Sequence, residues 1–183
     1  MRIEFKIENV VASADTGTKL NLQQIATALN NIEYEPSQFP GLIYHVKDPK
    51  GAIIFFSNGK LVCTGVKDIE TVNKILNGVV QQLRDLGIRV NQPVEINIQS
   101  IVASVDLHKL LNLNALAITL GQERVEYDPE HFAGLVYHAS VPSVSTLLFD
   151  SGKIVCTGAK NEEDLELAFT ELIQELEITG LMS

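Results

Sequence analysis

The feature that most constrains the fold of this chain is a tandem repeat that spans almost all of its 183 residues. The segment EYEPSQFPGLIYHVKDPKGAIIFFSNGKLVCTGVK (33–67) aligns without gaps on EYDPEHFAGLVYHASVPSVSTLLFDSGKIVCTGAK (126–160), with about half of the positions identical. Upstream, residues 9–22 match residues 100–113. The sequence therefore predicts two copies of one structural unit, related by a pseudo-twofold axis and divided into residues 1–91 and 92–183.

Each repeat contains the same order of predicted elements. An alternating strand (3–15 or 94–106) comes first, and a short helix begins near Leu22 or Leu113. Three more strands follow, at 42–46, 52–57 and 60–64 in the first repeat and 93 residues later in the second. A long amphipathic helix ends each repeat, with its apolar stripe at Val72, Ile75, Leu76, Val79, Val80 and Leu83, or at Leu165, Ala168, Phe169, Leu172, Ile173 and Leu176. This pattern predicts an α+β fold.

The predicted strands are apolar on both faces. In the first repeat Ile53 and Phe55 alternate with Ile54 and Phe56. The long helices can cover only one face of the sheet that such strands form. The other face is left with apolar side chains open to solvent, which is typical of a large interaction surface.

The charge is unevenly distributed between the repeats. The net charge is −9, but residues 1–90 carry 10 Lys and Arg against 9 Asp and Glu, whereas residues 91–183 carry 4 against 14. A ligand of this chain therefore cannot be held mainly by a basic field. The GK pairs at 59–60 and 152–153 lack the pattern of a phosphate-binding loop, and no catalytic motif recurs in both repeats, so we do not expect an enzyme.

The remaining composition predicts a protein of the cell interior. No apolar run approaches the roughly 18 residues that span a bilayer, and the N-terminus lacks the apolar region of a signal peptide. We therefore expect a soluble, cytoplasmic protein. Cys63 and Cys156 lie in the matching strings LVCTGVK and IVCTGAK, without a second cysteine or a histidine pair nearby. This context predicts buried core thiols and neither a metal site nor a disulfide.

The strings EYEPSQFPGLIYHVKDPK, SNGKLVCTGVK, FAGLVYH and DSGKIVCTGAK resemble those of the TATA-box-binding protein core domain. The resemblance spans both repeats and nearly the full length, and it is nearest to the archaeal members. It implies a saddle, in which a curved antiparallel sheet carries two long and two short helices on its convex face. It also implies a transcription initiation factor that kinks double-stranded DNA from the minor groove, without a cofactor.

The resemblance implies a DNA-binding site that is repeated in the two halves. Phenylalanine pairs would unstack a base step at each end, and polar side chains and a valine floor would contact base edges between them. The phenylalanine pairs are Phe39 with Phe56 and Phe132 with Phe149. The other DNA-binding residues are Asn9, Val11, Val62, Thr64, Ser100, Val102, Val155, Thr157 and Lys50. The hydrogen-bonding groups in the minor groove mainly distinguish A·T from G·C pairs, so we expect A/T-rich sites.

Four positions depart from the family pattern. Ser100 stands where the second repeat typically has the symmetry partner of Asn9, and Ser143 stands where the first repeat has a lysine. His45 and His138 stand where many members place an arginine that contacts phosphate. Each replacement removes a positive charge or shortens the side chain. We therefore expect DNA binding that is weaker or more dependent on a protein partner.

The predicted protein partners are transcription factor B and, through it, the RNA polymerase pre-initiation complex. The turn Asp128-Pro129-Glu130-His131 matches the acidic turn that contacts transcription factor B in the family, although His131 replaces a residue that is usually apolar. A solvated acidic loop without a partner is the alternative. For the whole chain, the alternative function is a protein-interaction relative of the family with reduced DNA affinity.

Overall fold

The computed structural model describes residues 3–91, 94–141 and 143–181. The chain forms two compact units, one of residues 9–99 and one in which residues 3–8 join the chain from residue 100 onward. The predicted division into repeats 1–91 and 92–183 stays a prediction, and residues 1, 92 and 183 lie outside the described residues.

The first half of the chain contains five strands and two helices. In chain order they are β1 (Lys6–Asp15), α1 (Leu22–Ala28), β2 (Ile32–Glu33), β3 (Leu42–Lys47), β4 (Lys50–Phe55), β5 (Lys60–Val66) and α2 (Ile69–Asp85). The strand order is β2-β3-β4-β5-β1, and the paired neighbours are antiparallel.

The second half repeats this arrangement. Its elements are β6 (Ile96–Asp106), α3 (Leu113–Leu120), β7 (Val125–Glu126), β8 (Leu135–His138), β9 (Ser145–Leu148), β10 (Lys153–Ala159) and α4 (Glu162–Thr179). The strand order β6-β10-β9-β8-β7 is also antiparallel, and each element has its counterpart in the first half.

Matching side chains start the helices of the two halves. Asn21 and Asn112 accept a backbone hydrogen bond at the N-termini of α1 and α3, which satisfies one of the free N–H groups of the first turn. Asp68 caps α2 through the Thr71 N–H at 2.7 Å, and Asn161 caps α4. The predicted starts of both short helices and the predicted cap of α4 are confirmed.

The core lies between the long helix and one face of the strands in each half. The strand residues Leu42, Ile53, Phe55, Leu61 and Cys63 are fully buried in the first half. All six residues of the predicted α2 stripe are buried as well. In α4 five of the six are buried, and Ile173 is half-buried. The predicted helix stripes are therefore confirmed except at Ile173, which lies at the margin of the contact.

The N-terminal residues pack within the second unit. The ring of Phe5 stacks on that of Phe169 in α4, with centroids 5.7 Å apart and an interplanar angle of 27°. Close by, Ser104 in β6 donates a hydrogen bond to Glu8 Oε1 at 2.8 Å. Residues 3–8, which include the start of β1, thus pack with the second unit, while the rest of the strand belongs to the first.

Both cysteines are buried and unpaired, as predicted. Burial raises the pKa of Cys63 and of Cys156 to about 11, so both thiols are protonated at neutral pH. Within the described residues, no group of His, Cys, Asp and Glu is arranged to hold a metal ion. None of the helices described is long and apolar enough to cross a membrane.

Candidate nucleic-acid interface

The face of the strands away from the long helix is half-exposed and mainly apolar in the first half. Cross-strand pairing places Ile43, Ile54 and Val62 in one row, because residues directly opposite each other point to the same face. His45, Ala52 and Thr64 form the next row. We call this surface the open face of the first half. Its members and Val11 remain accessible, whereas the strand neighbours Ile53, Phe55, Leu61 and Cys63 are buried.

The second half carries the same surface with a similar composition. Val136, Leu147 and Val155 form one row, and His138, Ser145 and Thr157 form the next. Val102 in β6 is half-exposed like its counterpart Val11. The prediction that the helices cover one face and leave an apolar one open is confirmed in each half.

A phenylalanine pair lies at the end of each open face. The rings of Phe39 and Phe56 are 6.1 Å apart at 69°, and those of Phe132 and Phe149 are 6.0 Å apart at 74°. Phe39 is 40% exposed and Phe132 is 46% exposed, while their partners are half-buried beneath them. Each pair is therefore an edge-to-face wedge with one ring presented to solvent.

A glycine two residues after each exposed phenylalanine leaves room for this wedge. A Cβ on Gly41 would lie 2.7 Å from the Phe39 ring, and one on Gly134 would lie 2.7 Å from the Phe132 ring. Real Cβ atoms do not approach other atoms so closely. A side chain at either position would require a neighbouring group to shift: the exposed ring or, at Gly41, the Ile54 methyl group.

Asn9 is held so that its open-face groups are hydrogen-bond donors. The Gly65 N–H donates to Asn9 Oδ1 at 2.9 Å, and Asn9 Nδ2 donates to Thr64 Oγ1 at 3.3 Å. Because Thr64 Oγ1 accepts this bond, its own hydroxyl proton is left to donate elsewhere. A ligand that presents acceptors fits such a surface, and the edges of A·T pairs in the minor groove present acceptors alone.

Ser100 occupies the corresponding place in the second half. Its Oγ accepts a hydrogen bond from the Gly158 N–H at 3.2 Å, and its hydroxyl proton is then free to donate. The serine therefore keeps the backbone contact of an asparagine but offers one donor on a shorter stem. Thr157, the counterpart of Thr64, is half-exposed beside it.

The rim of the first open face carries positive charge. Lys47 and Lys50 lie directly opposite each other on β3 and β4, and both are exposed. They border a recess of about 370 Å³ together with His45 and the backbone near Gly65. His45 Nε2 is 3.3 Å from Glu33 Oε1 on the two-residue strand β2. Lys50 is thus placed where a phosphate group at the rim could be bound.

The rim of the second open face carries neither of these lysines. Their counterparts are Ser140 and Ser143, and Ser140 Oγ donates to Glu171 of α4 at 2.8 Å. His138 Nε2 is 3.6 Å from Glu126 Oε2, which repeats the His45–Glu33 pair. Ser143 and His138, where the sequence predicts a loss of positive charge, therefore both lie at the rim of the second open face.

The acidic turn is exposed. Asp128, Glu130 and His131 are all accessible, and His131 Nδ1 is 2.7 Å from Asp128 Oδ2. The backbone N–H groups of His131 and Phe132 both donate to the Asp128 carbonyl, which folds the turn directly before the wedge phenylalanine. The carboxylate of Glu130 is available to a partner, while that of Asp128 is shared with the histidine.

Sequence reasoning missed the two histidine–glutamate pairs and the network beneath His138. Arg124 Nη1 is 2.9 Å from Glu175 Oε1, and Arg124 Nη2 donates to Tyr137 Oη at 3.0 Å. The hydrogen bond to Glu175 raises the pKa of Arg124, and burial raises that of Tyr137 to about 12. The two pairs could have been predicted from the sequence, because glutamate and histidine occupy the same positions in both repeats.

Comparison with known proteins gives matches over almost the whole chain. The profile of the family described as "Transcription factor TFIID (or TATA-binding protein, TBP)" matches residues 4–86 and 95–178. A TATA-box-binding protein of Haloarcula marismortui is 49% identical over 176 residues, which cover 96% of this chain and 95% of that protein. One of Thermoplasma volcanium is 48% identical over 181 residues, covering 99% of this chain and 98% of that protein.

The solved structures include a similar fold. The structure of Methanococcus jannaschii TBP matches with a TM-score of 0.84 and 42% sequence identity, and the match covers 96% of this chain and 99% of that one. The predicted α+β fold class is confirmed. The predicted family, with its two tandem repeats and its nearness to archaeal members, is confirmed as well.

Proposed function

Because the chain belongs to the TATA-box-binding protein family, we propose that it is a general transcription initiation factor that binds A/T-rich promoter DNA in the minor groove. In this proposal it bends the DNA and recruits transcription factor B and RNA polymerase. The relatives from Haloarcula marismortui and Thermoplasma volcanium carry the name TATA-box-binding protein. That family is one of transcription factors, which agrees with the expectation that the chain is not an enzyme.

The observation that best supports the proposal is the repeated wedge beside an apolar open face. Unstacking a base step costs a few kcal/mol, and this cost is offset when the widened groove contacts an apolar surface. Phe39 and Phe132 each present an accessible ring, and each rests on a second ring that holds it in place. The open faces carry the valines and isoleucines that a widened groove would contact.

The donors of Asn9 and Thr64 support the preference for A·T pairs. Each side-chain oxygen already accepts one hydrogen bond within the protein, while one N–H of Asn9 Nδ2 and the hydroxyl proton of Thr64 are left to donate. A G·C pair would place its amino donor in the groove against these donors. We therefore propose that the polar centre of the site discriminates against G·C pairs.

The proposal is tested by gel shift with an A/T-rich duplex and a G·C-substituted duplex of the same length. We expect a specific complex with the first duplex and a slower-migrating ternary complex when transcription factor B is added. Binding of transcription factor B without specific DNA binding would favour the alternative, a protein-interaction relative with reduced DNA affinity. A protein that forms neither complex would contradict both proposals.

A further inference from the structure

One serine in each half lies on the open face, opposite a valine of that face. Ser13 in β1 is directly opposite Val62, and Ser104 in β6 is directly opposite Val155. Residues directly opposite each other point to the same face, so both hydroxyl groups belong to the open faces. The two serines are counterparts, since residues 9–22 match residues 100–113. Each serine therefore lies beside a valine that is expected to contact base edges.

The side chain that bonds to each serine differs between the halves. Gln99 Nε2 donates to Ser13 Oγ at 2.8 Å, whereas Ser104 Oγ donates to Glu8 Oε1 at 2.8 Å. Glu8 and Gln99 are counterparts as well, because each directly precedes its matching segment. Since Ser13 Oγ accepts, its hydroxyl proton is left to donate to a ligand, while the proton of Ser104 is bound by the carboxylate.

The exposure of these groups determines which of them a ligand would meet. Ser104 is 7% exposed, and Glu8 beside it is half-exposed. Ser13 is half-exposed, and Gln99 is exposed. Both border a recess of about 520 Å³ that is also lined by Val62. A ligand on the first open face thus meets an amide and a hydroxyl group, whereas a ligand on the second meets a carboxylate that covers the serine.

The two arrangements suit different base pairs. The minor-groove edge of an A·T pair presents acceptors alone, and a G·C pair adds the amino donor of guanine. The Ser13 hydroxyl and the Gln99 amide can donate to the acceptors of an A·T pair. The Glu8 carboxylate offers them no donor, but it can accept a charge-assisted hydrogen bond from a guanine amino group. At this position the second half therefore suits a G·C pair better than the first half does.

We propose that Glu8 is a specificity-determining residue, which lets the second half accept a G·C pair where the first half requires an A·T pair. This inference rests on the proposed function. It adds to the proposed role of Asn9 and Thr64, whose donors discriminate against G·C pairs in the first half. An asymmetric site is then bound in the orientation that places its guanine beside Glu8.

The test uses a self-complementary A/T-rich duplex in which G·C replaces A·T, first on one side of the centre and then at both symmetric positions. The protein can bind such a duplex in either orientation, so one G·C pair can always be placed against Glu8. A second G·C pair must then lie against Ser13 and Gln99. Fluorescence titrations at one salt concentration give the Kd of each duplex, and the replaced position is moved outward from the centre pair by pair.

At one position we expect the first replacement to raise the Kd by less than about threefold and the second to raise it by about tenfold, the usual cost of a wrong base pair. Glu8→Gln gives the second half the amide of the first, so its first replacement should already cost about tenfold. Gln99→Glu places a carboxylate beside Ser13, so its second replacement should become as cheap as its first. The two variants therefore change the profile in opposite directions.

Glu126→Gln is the matched control for charge, because it removes a negative charge from the rim of the second half without changing the groups beside Ser104. It should tighten binding to every duplex by a similar factor and leave the costs of the two replacements unchanged. Urea unfolding of each variant checks that the protein is folded under the conditions of the titrations. Gln99→Glu alters an exposed side chain, so it preserves the test if Glu8→Gln destabilises the fold.

Equal costs of the first and the second replacement at every position would overturn the inference while leaving the proposed function intact. A first replacement that stays as cheap in Glu8→Gln as in the natural protein would overturn it as well, since the tolerance would then come from another residue. Absence of specific binding to the unsubstituted A/T-rich duplex would contradict the proposed function itself.

Discussion

Ser100 accepts a hydrogen bond from the backbone N–H of Gly158 at 3.2 Å. In the first half, Asn9 makes the same contact with Gly65 at 2.9 Å, and its amide nitrogen also reaches Thr64. The two halves thus share an anchor to the strand but differ in the number of donors that they leave for a ligand. This difference sets the first prediction.

Replacing Ser100 with asparagine is expected to tighten binding to an A·T-centred duplex by about 2- to 12-fold, because one additional hydrogen bond contributes roughly 0.5–1.5 kcal/mol. The gain should shrink on a G·C-centred duplex, where the amino group opposes the new donor. Titrations of both duplexes at one salt concentration measure it. Asn9→Ser is the matched control and should weaken binding by a similar factor. Unchanged or weaker binding by the asparagine variant would show that the larger side chain only crowds the strand.

Removal of the exposed ring of each wedge should reduce both DNA affinity and DNA bending. Phe39→Ala with Phe132→Ala is suited to this test because these rings are partly exposed, so each substitution should cost only about 1–2 kcal/mol of stability. Fluorescence energy transfer between the duplex ends measures the bend. Phe55→Ala is the control for a core defect, since its fully buried ring contributes about 3–5 kcal/mol to stability. A normal bend with the double variant would refute the wedge assignment.

Charge reversal in the acidic turn should affect protein partners and spare DNA. Asp128→Lys with Glu130→Lys places cations where a basic surface of transcription factor B is expected to bind, so the ternary complex should weaken by at least tenfold. Binary binding to an A/T-rich duplex should stay the same or improve slightly. Gel shifts with and without transcription factor B compare the two. Equal losses in both experiments would mean that the turn acts on DNA or on folding.

The raised pKa values of the two cysteines predict how the free energy of unfolding changes at alkaline pH. Burial raises the pKa of Cys63 and Cys156 from 9.0 to about 11, so the folded state keeps protons that the unfolded state loses. The free energy of unfolding should therefore fall as the pH rises from about 9 to about 11, and this contribution should be intact below about 9. Urea unfolding across this range measures the slope. A double variant, Cys63→Ala with Cys156→Ala, should have a shallower slope, and an identical slope would contradict the assignment.

The open face could be predicted because it follows from alternation along single strands. Ile54 stands between the buried residues Ile53 and Phe55, and a period of two assigns it to the opposite face without knowledge of its partners. The tight turn at Gly59 and the cap at Asn161 are likewise local, and the structure contains both. Each of these local patterns has a counterpart in the other repeat, which strengthened the prediction.

The features that escaped prediction depend on contacts between distant segments. Strands β2 and β7 have two residues each, which is too short for any periodic pattern, and they exist because β3 and β8 offer an edge. The pairing of His138 with Glu126 follows from that edge. The network of Arg124 with Glu175 joins a loop to a helix, and neither segment alone indicates it. Sequence periodicity contains no information about such partners.

The stacking of Phe5 on Phe169 has a consequence for how the protein can be made and dissected. Phe5 leaves the ribosome long before its aromatic partner Phe169, which lies in α4. A tag or truncation that disturbs residues 3–8 would therefore uncover the core of the second repeat and not that of the first. For the same reason a fragment that begins at residue 100 would lack a piece of its core, so the second repeat is a poor candidate for expression alone unless residues 3–8 are supplied in trans.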